Sequence, residues 1–396
     1  MMARDNERFL STGDEAGTAP DDRKLRPDVE GLRAVAILLV LFLHFFIPGF
    51  TGGGIGVDVF FVISGFVITG VLLRERDSTG RTSLVSFYAR RGRRIIPLAL
   101  LVVVVILICE RLTAGRAEAE ALANPARWVV LFAFNFDYSA IRSEIFLPAP
   151  FASFWSLAVE EQFYLVFPAL VIAVGAIGMA WSWRLKINVV LVAGVVASYT
   201  WSVLSSGAFA LIPYDSPFTR AWELAIGCLI AVNTPWLRRI PKRIAGAMAW
   251  FGLALVLIAA HTFTVATRYP GWVAILPVAG TAFVIIGGTP VPTWGAERLL
   301  AFRPVRAVGR WSYGIYLWAI PVVLLATHWW GPMNRISLIG RAGLIAVTVV
   351  IAAGSFAIYE SPIRHSTRLA ASPGLSLGCA LVFIAGSLVM ITVIAQ

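Results

Sequence analysis

The stretch "ALLVVVVILIC", Ala99 to Cys109, is apolar at every position, and runs of this kind recur along the whole chain. Hydrocarbon offers no water to backbone N–H and C=O groups, so a segment that enters it must pair them internally, as a helix or a closed barrel. Barrel strands alternate polar and apolar residues, and this run has no alternation. The chain is therefore expected to be all-α, a polytopic helical bundle in a membrane. Composition agrees. Charged residues make up 14% of the chain, against about 25% in an ordinary soluble domain, and the mean hydropathy is +0.79.

We read eleven spans, at 32–46, 54–73, 95–110, 154–178, 187–204, 219–232, 245–261, 271–288, 311–328, 338–359 and 375–395, with ten or twelve as alternative counts. If the N-terminus is cytoplasmic, 24 of the 33 Lys and Arg residues fall in the inner segments. That asymmetry sets the expected orientation, N-terminus in and C-terminus out. It also accounts for the net charge of +11 without nucleic acid. Residues 1–25 read as a solvated, disordered cytoplasmic tail, and 26–396 as one membrane domain. Trp128 to Phe134 is apolar but too short to span, and reads as a re-entrant or surface helix. No internal repeat stands out, which disfavours the repeat-built transporters. Cys109, Cys228 and Cys379 have no metal-ligand or disulfide spacing, so no metal site is expected.

Ionisable residues inside such runs are costly and mark pathways or sites. "RPDVEGLRAVAILLVLFLHFF" (Arg26–Phe46) carries Arg33 at its entrance and His44 near its far end. The turn "PGFTGGG" (Pro48–Gly54) joins the first two spans. Counting from it puts His44 and Asp58 at similar depth, where a carboxylate can orient an imidazole as a general base. A core histidine satisfied by a hydroxyl is the plain alternative. In "FWSLAVEEQFYLVFP" (Phe154–Pro168), Ser156, Glu160 and Tyr164 recur every four residues and share one face, whereas Glu161 points elsewhere. In "TRAWELAIG", Arg220 and Glu223 enter from the same side, three apart on one face. An internal ion-pair network that merely holds the helices together is the plain alternative.

At the opposite side, "FYARRGRRIIP" (Phe87–Pro97) stacks Arg90, Arg91, Arg93 and Arg94. Topology explains part of this cluster. Together with Arg33 it also suits a multiply phosphorylated ligand. Arg33 and His44 are about 16 Å apart at helical rise, so a ligand with a long thin arm reaches from one to the other.

Those segments, with "GVDVFFVISGFVIT", "RAWELAIGCLIA" and "GRWSYGIYLW", closely resemble the type-3 membrane O-acyltransferases from about Arg26 to Arg364. The resemblance implies that an arginine and a histidine eleven positions apart in the first span are functional, matched by Arg33 and His44. It also implies a functional arginine-x-x-arginine, which both Arg90/Arg93 and Arg91/Arg94 fit. It implies acyl-CoA, usually acetyl-CoA, as a cytoplasmic donor substrate, with no permanently bound cofactor. The acceptor would be a hydroxyl of an envelope glycan, glycolipid or glycosylated metabolite. Two departures stand out. Ala319 occupies the place of a histidine that many relatives carry in the ninth span. No extracytoplasmic esterase-like domain is expected within 1–396.

The expected protein is thus a multi-pass O-acyltransferase of the inner or plasma membrane. His44, Asp58 and Glu160 are its candidate catalytic residues, Arg33, Arg90, Arg91, Arg93 and Arg94 its donor site, and Ser156, Tyr164, Arg220 and Glu223 the acceptor-side support. A macrolide-type acyltransferase and a transporter without chemistry are the alternatives.

Overall fold

Serine hydroxyls cap the N-termini of five of the long helices, at Ser83, Ser182, Ser216, Ser337 and Ser372. Each accepts a bond from a first-turn N–H that has no intrahelical partner. The computed structural model describes residues 26–136, 150–151, 153–178, 181–206, 214–292 and 294–396, and the expected tail at 1–25 lies outside them. Among the described residues the regular structure is entirely helical. Eleven helices overlap the expected spans. They are α1 (Pro27–His44), α2 (Gly56–Thr79), α3 (Leu84–Thr113), α4 (Phe154–Ala176), α5 (Trp183–Ser205) and α6 (Pro217–Leu237). The remainder are α7 (Lys242–Thr262), α8 (Ile275–Gly287), α9 (Arg303–Trp330), α10 (Leu338–Ser355) and α11 (Pro373–Ala395).

Eight of these are long and apolar enough to cross a membrane, and the protein is a multi-pass membrane protein. The other three, α1, α6 and α8, fall short for a reason visible in the packing. Helix α8 has 13 residues. Helices α1 and α6 carry charges that face protein: Asp28, Arg220 and Glu223 are all buried. Helix α3 is longer than its apolar run, because the arginine-rich stretch before Pro97 is itself helical. The short helix Ala123–Val130 buries Ala126, Val129 and Val130 in the core alongside residues of α3 and α11.

Helix α1 lies between α2 and α9, and α2 lies against α6. Two glycines set the α2–α6 distance. A Cβ on Gly65 would lie 1.9 Å from the Leu224 carbonyl oxygen, and one on Gly227 2.0 Å from that of Val62. Small residues on facing helices let two backbones touch, which is how helices associate where no hydrophobic effect drives them together. The site is built at this centre, from α1, α2, α3, α4 and α9. Beyond α10, a π-helical stretch, Phe356–Glu360, turns the chain into the short helix Ser361–Arg364 at the end of the bundle where α1 begins.

Candidate active site

Arg91 and Arg94 sit three apart on α3 and share a face. They open onto a cavity with Arg33 of α1. The Arg33 guanidinium donates to Ser312 Oγ (2.9 and 3.2 Å) and to the Gly309 carbonyl (3.3 Å), and lies 5.7 Å from the Phe60 ring centroid. That of Arg91 lies over Tyr164, 4.7 Å from its centroid. The other two arginines of the run behave differently. Arg90 lines the outer vestibule but is ion-paired with Glu75 at 2.7 Å. Arg93, 7% exposed, faces away and donates to the Leu369 carbonyl (2.9 Å) and Ser376 Oγ (2.8 Å). Of the two arginine-x-x-arginine pairs, Arg91/Arg94 alone faces the inner cavity. Arg93 ties α3 to the start of α11, so its expected place in a donor site fails.

Outside this neck, a basic vestibule of about 2450 Å³ counting its open mouth is lined by eleven arginines and only two acids, Glu30 and Asp77. Ion pairs join Arg26 to Asp28, Arg90 to Glu75, Arg184 to Asp77 and Arg306 to Glu30. Eleven arginines against two lining acids make the field there strongly positive. Inside the neck, the inner cavity amounts to about 730 Å³, again counting its opening. Arg33, Val67, Arg91 and Arg94 line both spaces, so the two adjoin at these side chains.

The expected face of α4 forms one wall. Ser156, Glu160 and Tyr164 all line the cavity, and Glu161 does not. Glu160 Oε1 accepts hydrogen bonds from Ser64 and Tyr164 hydroxyls. Ser156 Oγ and Tyr316 OH share a bond of 2.6 Å nearer the far end. Sequence reasoning missed Ser64, Ser312 and Tyr316. The signal for Ser64 was present: Val57, Phe60, Phe61, Ser64 and Val67 recur at three- and four-residue spacing and line the cavity as one stripe. Val57, Phe61 and Leu157 give the cavity an apolar wall.

His44 does not line the cavity. Ile37, Val40, Val57, Phe61 and Ala319 belong to one packed apolar cluster at this level. His44 Nδ1 is 2.8 Å from the Val40 carbonyl oxygen. A carbonyl only accepts, so Nδ1 carries the proton and Nε2 has the free lone pair. The expectation that Asp58 orients this ring fails. The α1–α2 turn does not mirror sequence distance. Gly53 is already beside Leu39, where a Cβ would lie 2.1 Å from its carbonyl oxygen, and Gly56 is beside Ala36 (2.3 Å). Helix α2 therefore starts well inside the level of His44, and Asp58 is deeper still.

Asp58 instead joins Arg220 and Glu223, so those three expected site residues do converge, but on each other. Arg220 Nη1 is 3.2 Å from Asp58 Oδ1 and 3.0 Å from Glu223 Oε1, all three side chains fully buried. Arg220 Nε donates to the Tyr214 carbonyl at 3.0 Å. Its guanidinium lies 4.2 Å from the Tyr214 ring centroid and 5.4 Å from those of Trp155 and Tyr269. This closed cluster joins α2, α6 and the segment before α6. Beside it, outside the spans, Asp215 is 2% exposed, and neither carboxylate oxygen has a hydrogen-bond partner among the described residues. Burial pushes the Asp215 carboxyl up from 3.8 to about 6. Among the described residues no group of His, Cys, Asp and Glu is arranged to hold a metal ion.

The arrangement can bind an anionic, slender ligand at the basic end and offers an imidazole outside the cavity. Known proteins match this chain along its length. It is 32% identical over 363 residues to peptidoglycan O-acetyltransferase OatA of Listeria monocytogenes, covering 87% of this chain and 56% of that protein. It is 32% identical over 357 residues to the putative peptidoglycan O-acetyltransferase YrhL of Bacillus subtilis, covering 85% and 55%. It is 26% identical over 357 residues to O-acetyltransferase OatA of Staphylococcus aureus, covering 85% and 57%. The chain thus spans about half the length of these curated relatives. No solved structure matches it. The acyltransferase-domain family model covers residues 26–360, a span that contains Arg33, His44, the Arg91/Arg94 neck and the α4 wall, and the chain belongs to the acyltransferase-3 family.

Proposed function

We propose that the protein is an O-acetyltransferase that takes its acyl group from acetyl-CoA at the cytoplasmic end of the bundle. The acceptor is a hydroxyl of a cell-wall carbohydrate presented at the other end. The observation that carries this reading is that Arg33, Arg91 and Arg94 line both the basic vestibule and the inner cavity, with His44 eleven residues beyond Arg33 on α1 and outside that cavity. Arginine forks suit phosphates, and the positive-inside rule places the basic end in the cytoplasm. The relatives' names supply the acetyl group and the peptidoglycan acceptor.

In this reading the donor's phosphates rest at the vestibule and neck, and its arm runs along the α4 wall. The layer formed by Ile37, Val40, Val57 and Phe61 parts to admit the thioester. His44 Nε2 takes the proton from the acceptor hydroxyl as its oxygen bonds to the thioester carbonyl carbon. The C–S bond then breaks, and the imidazolium returns the proton to the leaving thiolate. Val40 holds the required tautomer throughout.

The test uses protein purified into nanodiscs, given acetyl-CoA and soluble peptidoglycan fragments. Acceptor-dependent release of CoA thiol, with acetyl ester on the glycan by mass spectrometry, is expected. Intact thioester in the presence of acceptor refutes the reading and favours transport without chemistry.

A further inference from the structure

Glu160 is an anomaly in an arginine-lined passage. Among the described residues it forms no ion pair, and its Oε1 is shared by two hydroxyls while Oε2 makes no hydrogen bond. It lines the same cavity as Arg33, Arg91 and Arg94, so a ligand entering from the vestibule meets it. His44, by contrast, does not line this cavity. We infer that Glu160, held by Ser64 and Tyr164, is the station that grips the amide-bearing arm of the thioester donor, and not an acceptor-binding or proton-relay residue.

The chemistry fits a carboxylate at that place. Ionised, it accepts N–H donors and offers none, so it suits an amide N–H and repels a phosphate. Phosphates are therefore stopped at Arg33, Arg91 and Arg94, while the uncharged arm slides on. The next polar station, the Ser156–Tyr316 pair, stands four residues along α4 from Glu160, or about 6 Å at helical rise. The arm of CoA carries two amides whose nitrogens are four bonds apart, about 5 Å from standard bond lengths. The two stations thus match the two amides in number and spacing. Val57, Phe61 and Leu157 then receive the apolar acyl end.

This assignment rests on the donor being acetyl-CoA, and the test separates the two claims by shortening the donor. Three donors are compared in steady-state transfer: acetyl-CoA, S-acetyl-pantetheine (amides, no phosphate) and S-acetyl-2-mercaptoethanol (neither). Glu160→Ala is expected to raise KM for the first two by about ten- to a hundredfold, the worth of a charge-assisted hydrogen bond, with kcat changed far less. For the third donor, parent and variant are expected to be alike. Glu160→Gln, which keeps volume and a carbonyl acceptor, is expected to recover part of the loss. Arg94→Ala is expected to matter for acetyl-CoA alone. Monodisperse elution and unchanged thermal unfolding show that each variant is folded, and Tyr164→Phe repeats the test if Glu160→Ala is not. A fall in kcat by the same factor with all three donors overturns the amide assignment and returns Glu160 to the chemical step, leaving the donor reading intact. A parent protein that neither binds nor turns over acetyl-CoA overturns both.

Discussion

Replacing Arg220 by methionine removes one guanidinium that serves two fully buried carboxylates, at 3.2 Å from Asp58 and 3.0 Å from Glu223. At an effective dielectric of 20, each such pair is worth about 5 kcal/mol of Coulomb energy. Much of that is spent on desolvating the three ions, so the intact cluster contributes little net stability. Removing its only cation is different, because Asp58 and Glu223 are then left buried and uncompensated at zero exposure. Arg220→Met is expected to lower unfolding free energy by about 3–5 kcal/mol. The triple change Asp58→Asn, Arg220→Met, Glu223→Gln is expected to recover most of it, since no unpaired charge remains. Denaturant unfolding of detergent-purified protein, followed by tryptophan fluorescence, measures both. Equal stability of Arg220→Met and parent would refute the closed-cluster account. So would a triple variant less stable than the single one. The same series addresses Asp58 and His44. With Val40 fixing the imidazole, the loss of transfer in Asp58→Asn is expected to track its loss of stability, and a folded, stable but inactive Asp58→Asn would restore the carboxylate–histidine pair.

The arginines of α3 are expected to separate cleanly. Arg91→Ala and Arg94→Ala raise KM for acetyl-CoA about ten- to a hundredfold. Arg93→Ala leaves KM unchanged and costs about 1.5–3 kcal/mol of stability, because it loses the bonds to Leu369 and Ser376; equal KM changes in all three variants contradict the split. Asp215 predicts a pH dependence. Its carboxyl titrates near 6 when folded against 3.8 in the free chain, so the folded state holds that proton more tightly. Stability is therefore lost as pH rises from about 4 to 6, by at most about 3 kcal/mol. Asp215→Asn is expected to match the parent below pH 4 and to exceed it by up to that amount at pH 7.5; a difference that does not vary with pH contradicts the assignment.

Periodicity carried the parts of the site that lie within one helix. Glu160 faces the cavity and Glu161 does not because four residues make nearly a full turn and one makes a hundred degrees. Arg33 and His44, eleven apart, share a face for the same reason, and the sequence also placed Arg33 at the basic entrance. Contacts between helices were less legible. The depth of Asp58 depended on how the turn after His44 folds back, and the contacts of Gly53 with Leu39 and Gly56 with Ala36 decided it. The arginine-x-x-arginine pattern fits two registers, and only the arrival of Ser376 from the far end of the chain shows which one is taken up structurally. Ser64 was passed over because a serine in an apolar run is ordinary until a carboxylate from another helix is found on its hydroxyl. The length of α3 was underestimated because arginines were read as the border of a span, whereas they fill the first turns of the helix.

His44→Ala tests the central claim most directly, provided donor binding and acyl transfer are measured on the same preparation. The imidazole does not line the donor cavity. Its removal is therefore expected to leave the dissociation constant of a non-hydrolysable acetyl-CoA analogue within about twofold, while transfer to peptidoglycan fragments falls by about 10²–10⁴, the usual worth of a general base. Transfer at the parental rate by folded His44→Ala protein that still binds the analogue would contradict the account.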